Sequence, residues 1–287
     1  SGIICLLTLL LLDRSPRNPH RIDFIGAGIL AGAAASVLLA IGGTGGRLHW
    51  ISVRTIGLGV LAVVLGTLFV MRQNRIEFPL MPMRIFKDRI TALGIAANLT
   101  TGIAFGTCIV YPPVFFEAVS GMNATKAGLM VGPFALVSAT MTMVAGQITD
   151  RFGGHKLLPV IGSIECLIGF LMLSNIDSHT SGMYVVISAM VVGAGIGFVM
   201  QTLLYVIQRS TAPSEIGVVT SVTMLARVFG NSMGVAVVGS VFTAALYREV
   251  AIELPGTSVS EIQASPQKIL EMATDARDHL ERAFSAA

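Results

Sequence analysis

Long apolar runs separated by short polar stretches dominate the chain. Seven runs are complete: Phe24–Ile41, Thr55–Met71, Ile90–Phe116, Ala127–Ile148, Leu157–Leu173, Met183–Ile207 and Val218–Leu246. Each is as long as the roughly 17–25 apolar residues that carry a helix across a bilayer, or longer. No alternating pattern competes with them, and in lipid the backbone must satisfy its own hydrogen bonds, so the pattern predicts helices. An eighth run, Gly2–Leu12, is too short to span and reads as the end of a preceding transmembrane helix. The expected fold is all-α: a polytopic membrane helix bundle, incomplete, with about seven full spans plus a partial one.

The polar stretches supply the orientation. Loops 13–23, 72–89, 149–156 and 208–217 hold eleven Lys and Arg, whereas loops 42–54, 117–126 and 174–182 hold three. Basic residues accumulate on the cytoplasmic side, which places the first set inside. The polar, acidic stretch 247–287 then lies outside. Ser265-Pro266 suits a helix start, and Ile269, Met272, Ala276, Leu280 and Ala283 follow at helical spacing. The stretch reads as an external amphipathic helix leading toward a further span, or as a helix lying on the membrane surface.

Composition agrees with this picture and closes off other classes. Of 287 residues, 53% are apolar and only 12% charged, about half the charge of a soluble domain, with a mean hydropathy of +0.78. Thirty-one glycines fit close helix packing in lipid. A net charge of +3, small and clustered mostly in loops, does not point to nucleic acid. Cys5, Cys108 and Cys166 lie in apolar runs without disulfide or metal spacing. The five histidines are scattered through loops and the polar tail. No Ser-His-Asp set, phosphate loop or dinucleotide fingerprint appears, so neither enzymatic activity nor a cofactor is expected. The expected location is the cell membrane, as a multi-pass protein whose first partner is the lipid bilayer.

Several stretches, in order and at matching spacing, resemble the fourteen-span drug:proton antiporter family of the major facilitator superfamily. Ile22-Asp23-Phe24-x-Gly26 resembles the start of that family's first extra central helix, and Trp50-Ile51-Ser52 the outer turn between its two extra helices. Glu77-Phe78-Pro79-Leu80-Met81-Pro82 with Ile85-Phe86 resembles the linker into the C-terminal bundle, and Gly128-x-x-x-Gly132-Pro133 the second helix of that bundle. Gly146-x-x-x-Asp150-Arg151-x-Gly153-x-x-Lys156 resembles the superfamily's cytoplasmic loop motif, with Gly154 and His155 in place of the usual basic residues. Gln208, Gly217, Thr220-Ser221, Arg227, Gly230, Gly234-Val235-Ala236 and Gly239 resemble the penultimate helix and its approach.

The resemblance implies a fold of major-facilitator type and a division of the chain. Residues 1–12 would end a preceding helix, and 13–89 would hold two extra central helices with cytoplasmic linkers. Residues 90–246 would form the C-terminal transporter bundle without its last helix, and 247–287 an extracytoplasmic loop. It also implies a proton-coupled secondary transporter for multidrug or metabolite efflux, working by alternating access. Its partners would be a small amphipathic substrate, protons and a missing N-terminal bundle of the same transporter. An uncoupled facilitator and a truncated, non-transporting membrane protein are the alternatives.

Within that frame the polar residues of the spans become candidates. Arg227 stands nine residues into an uncharged span, about 13 Å deep at 1.5 Å per residue. A charge there costs on the order of 2.5–3.5 kcal/mol on insertion scales. It is either a cavity charge that tunes a neighbouring acid or an arginine that snorkels to the cytoplasmic interface. Asn98 and Thr101 lie on one cavity helix; Gln201, Tyr205 and Gln208 share a face of another at i, i+4 and i+7. These groups bind substrate or join helices by hydrogen bonds. Proton-coupling candidates are Glu117, at the outer end of a span, and Glu165, in the middle of one. In the loop motif, Gly146, Asp150, Arg151, Gly153 and Lys156 read as a cytoplasmic charge latch or as an ordinary positive-inside loop. Asp150 is expected just before the next helix, where a carboxylate complements the positive helix terminus. The glycine pairs 28/32, 128/132 and 230/234 and Gly193, Gly195 and Gly197 are expected at close helix contacts.

Overall fold

The computed structural model describes residues 23–42, 52–77, 79–118, 122–152, 157–176, 180–213 and 215–253. These form seven α-helices: α1 Phe24–Gly42, α2 Val53–Gln73, α3 Arg89–Ala118, α4 Ala124–Phe152, α5 Leu157–Leu173, α6 Gly182–Ser210 and α7 Ile216–Glu253. A 3-10 turn, Met83–Lys87, joins α2 to α3. Six helices are long and apolar enough to cross a membrane. The exception is α5, whose 17 residues extend about 26 Å, slightly short of a ~30 Å hydrocarbon core. The expected segment Gly2–Leu12, the outer turn at Trp50-Ile51 and the helix after Ser265 lie outside the described residues.

The helix starts are written in the sequence as capping residues. Asp23, Ser52, Asp88 and Ser181 each accept a hydrogen bond from the backbone N–H three residues on. This satisfies one of the four N–H groups that a helix start leaves unpaired. Asp88 also accepts from the Thr91 hydroxyl at 2.6 Å, and the two Thr91 contacts hold its carboxyl below the ordinary aspartate value. The spans run two to seven residues further than the apolar pattern at several ends, since polar residues can continue a helix past its apolar run.

Asp23 does more than cap α1. Its carboxylate receives Arg72 Nη2 at 2.8 Å and Gln73 Nε2 at 3.1 Å from the end of α2, while Gly26 N–H donates from α1 at 2.9 Å. Gln73 Oε1 in turn accepts from Met81 N–H at 3.1 Å, tying the linker to the hairpin. Any side chain at Gly26 would collide with this carboxylate. Beyond Met81, Ile85 is inserted among Ile95, Ile207, Val219 and Val222, and Arg84 pairs with Glu215 in the α6–α7 loop. Loops assigned to the cytoplasmic side by charge thus meet one another.

The Arg72 guanidinium first, then the Gly26 N–H, hold the Asp23 carboxyl below its ordinary value of 3.8. A carboxylate lowered on folding stabilises the folded state above the unfolded value and loses that contribution as pH falls through the folded value. The α1–α2 clamp is therefore intact at neutral pH and is lost only as pH falls below the ordinary aspartate value, through the lower folded one. Hydrogen exchange of peptides covering 23–30 and 70–81, corrected for intrinsic rates, should show Asp23→Asn exchanging faster than wild type at pH 7. Unchanged protection in the variant would refute the clamp.

Candidate functional site

Around α6 and α7 the helices approach through glycine. On α3, Gly102 lies against the Arg227 carbonyl and Gly106 against Asn231; on α7, Gly230 and Gly234 lie against the Leu99 and Ile103 carbonyls. Each helix offers two glycines four residues apart to the other's backbone, the small-residue packing typical of membrane helices. Tyr111 Oη donates to Val235 O at 2.7 Å and closes the outer end of this seam. Gly193 and Gly197 seat α6 on α4, and Gly195 faces Gly162 of α5. Gly28, Gly128 and Gly132 meet nothing within 4 Å, and Gly32 meets only the tip of Leu65 at 3.2 Å. Of the three predicted glycine pairs, 230/234 is a close backbone contact, 28/32 makes contact only at Gly32, and 128/132 makes none among the described residues. Spacing alone does not distinguish a glycine facing a neighbour from one facing open space.

The α3–α7 seam sets the position of Arg227. Because Gly102 has no side chain, the Arg227 backbone sits against α3, and its side chain extends toward α6. There it borders a half-open cavity of about 190 Å³. The polar lining is Asn98 from α3, Gln201 from α6, and Thr223 and Arg227 from α7; Met200, Leu204 and Met224 form the apolar wall. Asn98 is 3% exposed and gives its amide N–H to Gly94 O at 3.0 Å. Thr223 donates to Val219 O at 2.8 Å. Arg227 Nη1 lies 3.4 Å from Met200 Sδ, a weak acceptor. Among the described residues Arg227 has no acidic partner, and no acid lines the cavity.

Three of the six predicted cavity residues converge here: Asn98, Gln201 and Arg227. The other three make local contacts. Thr101 donates to Ala97 O at 2.7 Å, Tyr205 Oη accepts from Arg209 at 2.8 Å, and Gln208 Nε2 donates to Thr220 Oγ1 at 3.0 Å. Thr223, Leu204 and Met224 were not anticipated. The available signal was the i, i+4 step, which puts Thr223 one turn from Arg227 and Leu204 one turn from Met200.

Glu117 is exposed in the last turn of α3. Glu165 is half-buried on α5, a helix that packs on α6, and its Oε2 has no hydrogen-bond partner among the described residues. Neither reaches the cavity. In the loop motif, Gly146 packs against the Gln201 side chain, while Asp150 and Arg151 are exposed. Asp150 is not ahead of the next helix: α4 continues through it to Phe152, so it stands at the negative end of the α4 dipole. The helix runs on because the first breaker in the sequence is the pair Gly153-Gly154. Gly153 and Lys156 lie outside the described residues.

Comparison with known proteins places these features in a family context. Residues 1–235 match the family model described as Major Facilitator Superfamily. The chain is 29% identical over 238 residues to an uncharacterized MFS-type transporter of Mycobacterium tuberculosis (strain ATCC 25618 / H37Rv), covering 83% of this chain and 35% of the relative. It is 28% identical over 246 residues to the multidrug transporter protein MdtP of Bacillus subtilis (strain 168), covering 85% and 45%. It is 26% identical over 267 residues to the MFS-type efflux pump MFS1 of Arthroderma benhamiae, covering 89% and 50%. The chain thus spans between about a third and a half of the length of these relatives.

Proposed function

Since the chain belongs to the major facilitator superfamily, a family of multi-pass membrane transporters and not of enzymes, we propose that it serves a proton-coupled exporter of small amphipathic molecules, drugs or metabolites, that works by alternating access. In this reading α3 to α7 form most of the C-terminal bundle, α1 and α2 are the extra central pair, and an N-terminal bundle supplies the opposing cavity wall. The observation that carries the reading is the convergence of Asn98, Gln201 and Arg227, from three helices, on one polar-apolar cavity. Charges inside membrane helices persist mainly where they face a water-filled cavity or a partner, and such residues mark transport pathways.

The coupling acid is proposed to be Glu165 or Glu117, and the 146–156 loop to latch the cytoplasmic side through Asp150, Arg151 and Lys156. Gly146 supports the latch, since it joins the loop's helix to Gln201 at the cavity wall. Motion of α4 against α6 would then reach the cavity directly.

The test uses sealed vesicles containing the full-length transporter and a fluorescent amphipathic dye. Dye should move only when a pH gradient is imposed and should stop when an ionophore dissipates it. Saturable movement that ignores the gradient would replace the exporter by a facilitator; no movement under either condition would remove the transport reading.

A further inference from the structure

The cavity has a sign. Among the described residues its one charged group is Arg227, and the remaining polar lining consists of the neutral side chains Asn98, Gln201 and Thr223. Thr223 has committed its hydroxyl proton, and Asn98 one of its two amide N–H groups, to backbone carbonyls of their own helices. Among the described residues the guanidinium, with five donors, has a thioether sulfur as its one hydrogen-bond acceptor. The acids of the spans lie elsewhere. Glu117 is nineteen residues from Asn98 on α3, roughly 28 Å along the helix axis. Glu165 is on α5, which borders α6 and not the cavity. A cation placed beside Arg227 would meet a like charge in a medium of low dielectric, where repulsion is strongest.

We propose that this cavity is a subsite for an anionic head group, a carboxylate by preference, on the transported molecule. This inference rests on the cavity being the substrate site. A planar guanidinium offers a carboxylate two parallel N–H donors, and the Gln201 amide lines the same cavity as a further donor. Met200, Leu204 and Met224 supply an adaptable apolar wall for the adjoining carbon atoms. At about 190 Å³ the cavity is smaller than the roughly 300–1,000 Å³ of a complete drug-sized site, so it suits the head of a ligand whose body lies against other walls. The expected ligand is an amphipathic weak acid, such as an aryl or long-chain carboxylate, and not an organic cation.

Purified full-length protein in nanodiscs of zwitterionic lipid would be titrated with dansyl-hexyl probes ending in a carboxylate, a primary amide or a trimethylammonium group. The carboxylate should bind at least ~10-fold more tightly than the amide, the advantage of one well-placed charged pair. Arg227→Gln should bring the carboxylate to the affinity of the amide and leave the amide unchanged; Arg227→Lys should keep part of the preference. Circular dichroism of each variant checks that the helices remain. Equal binding of carboxylate and amide by wild type would overturn the inference, as would a preference that survives Arg227→Gln. Strongest binding of the trimethylammonium probe would also overturn it, while leaving the cavity as the substrate site. Displacement of the carboxylate probe alone by added phosphatidylglycerol would assign the subsite to a lipid phosphate and overturn the assignment to a substrate. No binding of any probe would remove the cavity reading itself, and the inference with it.

Discussion

Arg227→Ala should reduce transport to the background of empty vesicles while the protein remains in the membrane at normal levels. Retention is expected because, among the described residues, the Arg227 side chain makes no ion pair and its one hydrogen-bond acceptor is Met200 Sδ. Removing it leaves no buried partner charge, the usual origin of a large folding defect. The fold contribution of residue 227 lies in its backbone, whose carbonyl packs on Gly102, and alanine preserves that contact. Transport is expected to fail because the cavity loses the only charge that lines it among the described residues. Initial rates in vesicles, normalised to protein by immunoblot, provide the comparison. A variant that transports normally would reduce Arg227 to an interfacial anchor, the alternative its depth in the span left open.

Gly106→Leu and Gly230→Leu should have the opposite profile, with loss of folded protein. A side chain at residue 106 would run into Asn231, and one at residue 230 into the Leu99 carbonyl. Those obstacles are backbone or backbone-fixed atoms that cannot rotate away. Each change should therefore cost more than the ~1–3 kcal/mol usual for overpacking a core. Gly128→Leu and Gly132→Leu point into open space and should stay within about 0.5 kcal/mol of wild type. Detergent-solubilised thermal stability, read by fluorescence size-exclusion, would rank the four. If all four lost folded protein alike, the α3–α7 seam would not be the specific contact it is here. The pairs are equally spaced in sequence, so the contrast separates geometry from composition.

Some of the site was legible in the residues and some was not. Arg227 stands out in any linear scan, because a charge deep in an apolar run requires an explanation. Asn98 and Gln201 stand out less, since polar residues of membrane helices often bond within their own helix, as Thr101 does. The clamp of Asp23 with Arg72 and Gln73 was hidden by a separation of about fifty positions, although Asp23 carried a local sign in the glycine three residues on. Asp150 was misplaced relative to the helices because a Gly-Gly pair announces a break without fixing which side a neighbouring carboxylate falls on.

The amino-acid sequence by itself determined that the chain spans the membrane repeatedly as helices, where the spans lie and which loops share a side. Span length, the backbone's need for internal hydrogen bonds and the loop charges are local properties, readable without neighbours. Only the tertiary structure decided which faces meet: that Gly102 and Gly106 bind α7 while Gly128 and Gly132 do not, and that Asn98, Gln201, Thr223 and Arg227 share one cavity. The physical reason is the solvent. In water a buried helix face is marked by an apolar stripe. In lipid both the outward and the inward faces are apolar, so the sequence carries little signal of direction. The choice passes to shape, to close backbone approach and to the few polar atoms that must find one another.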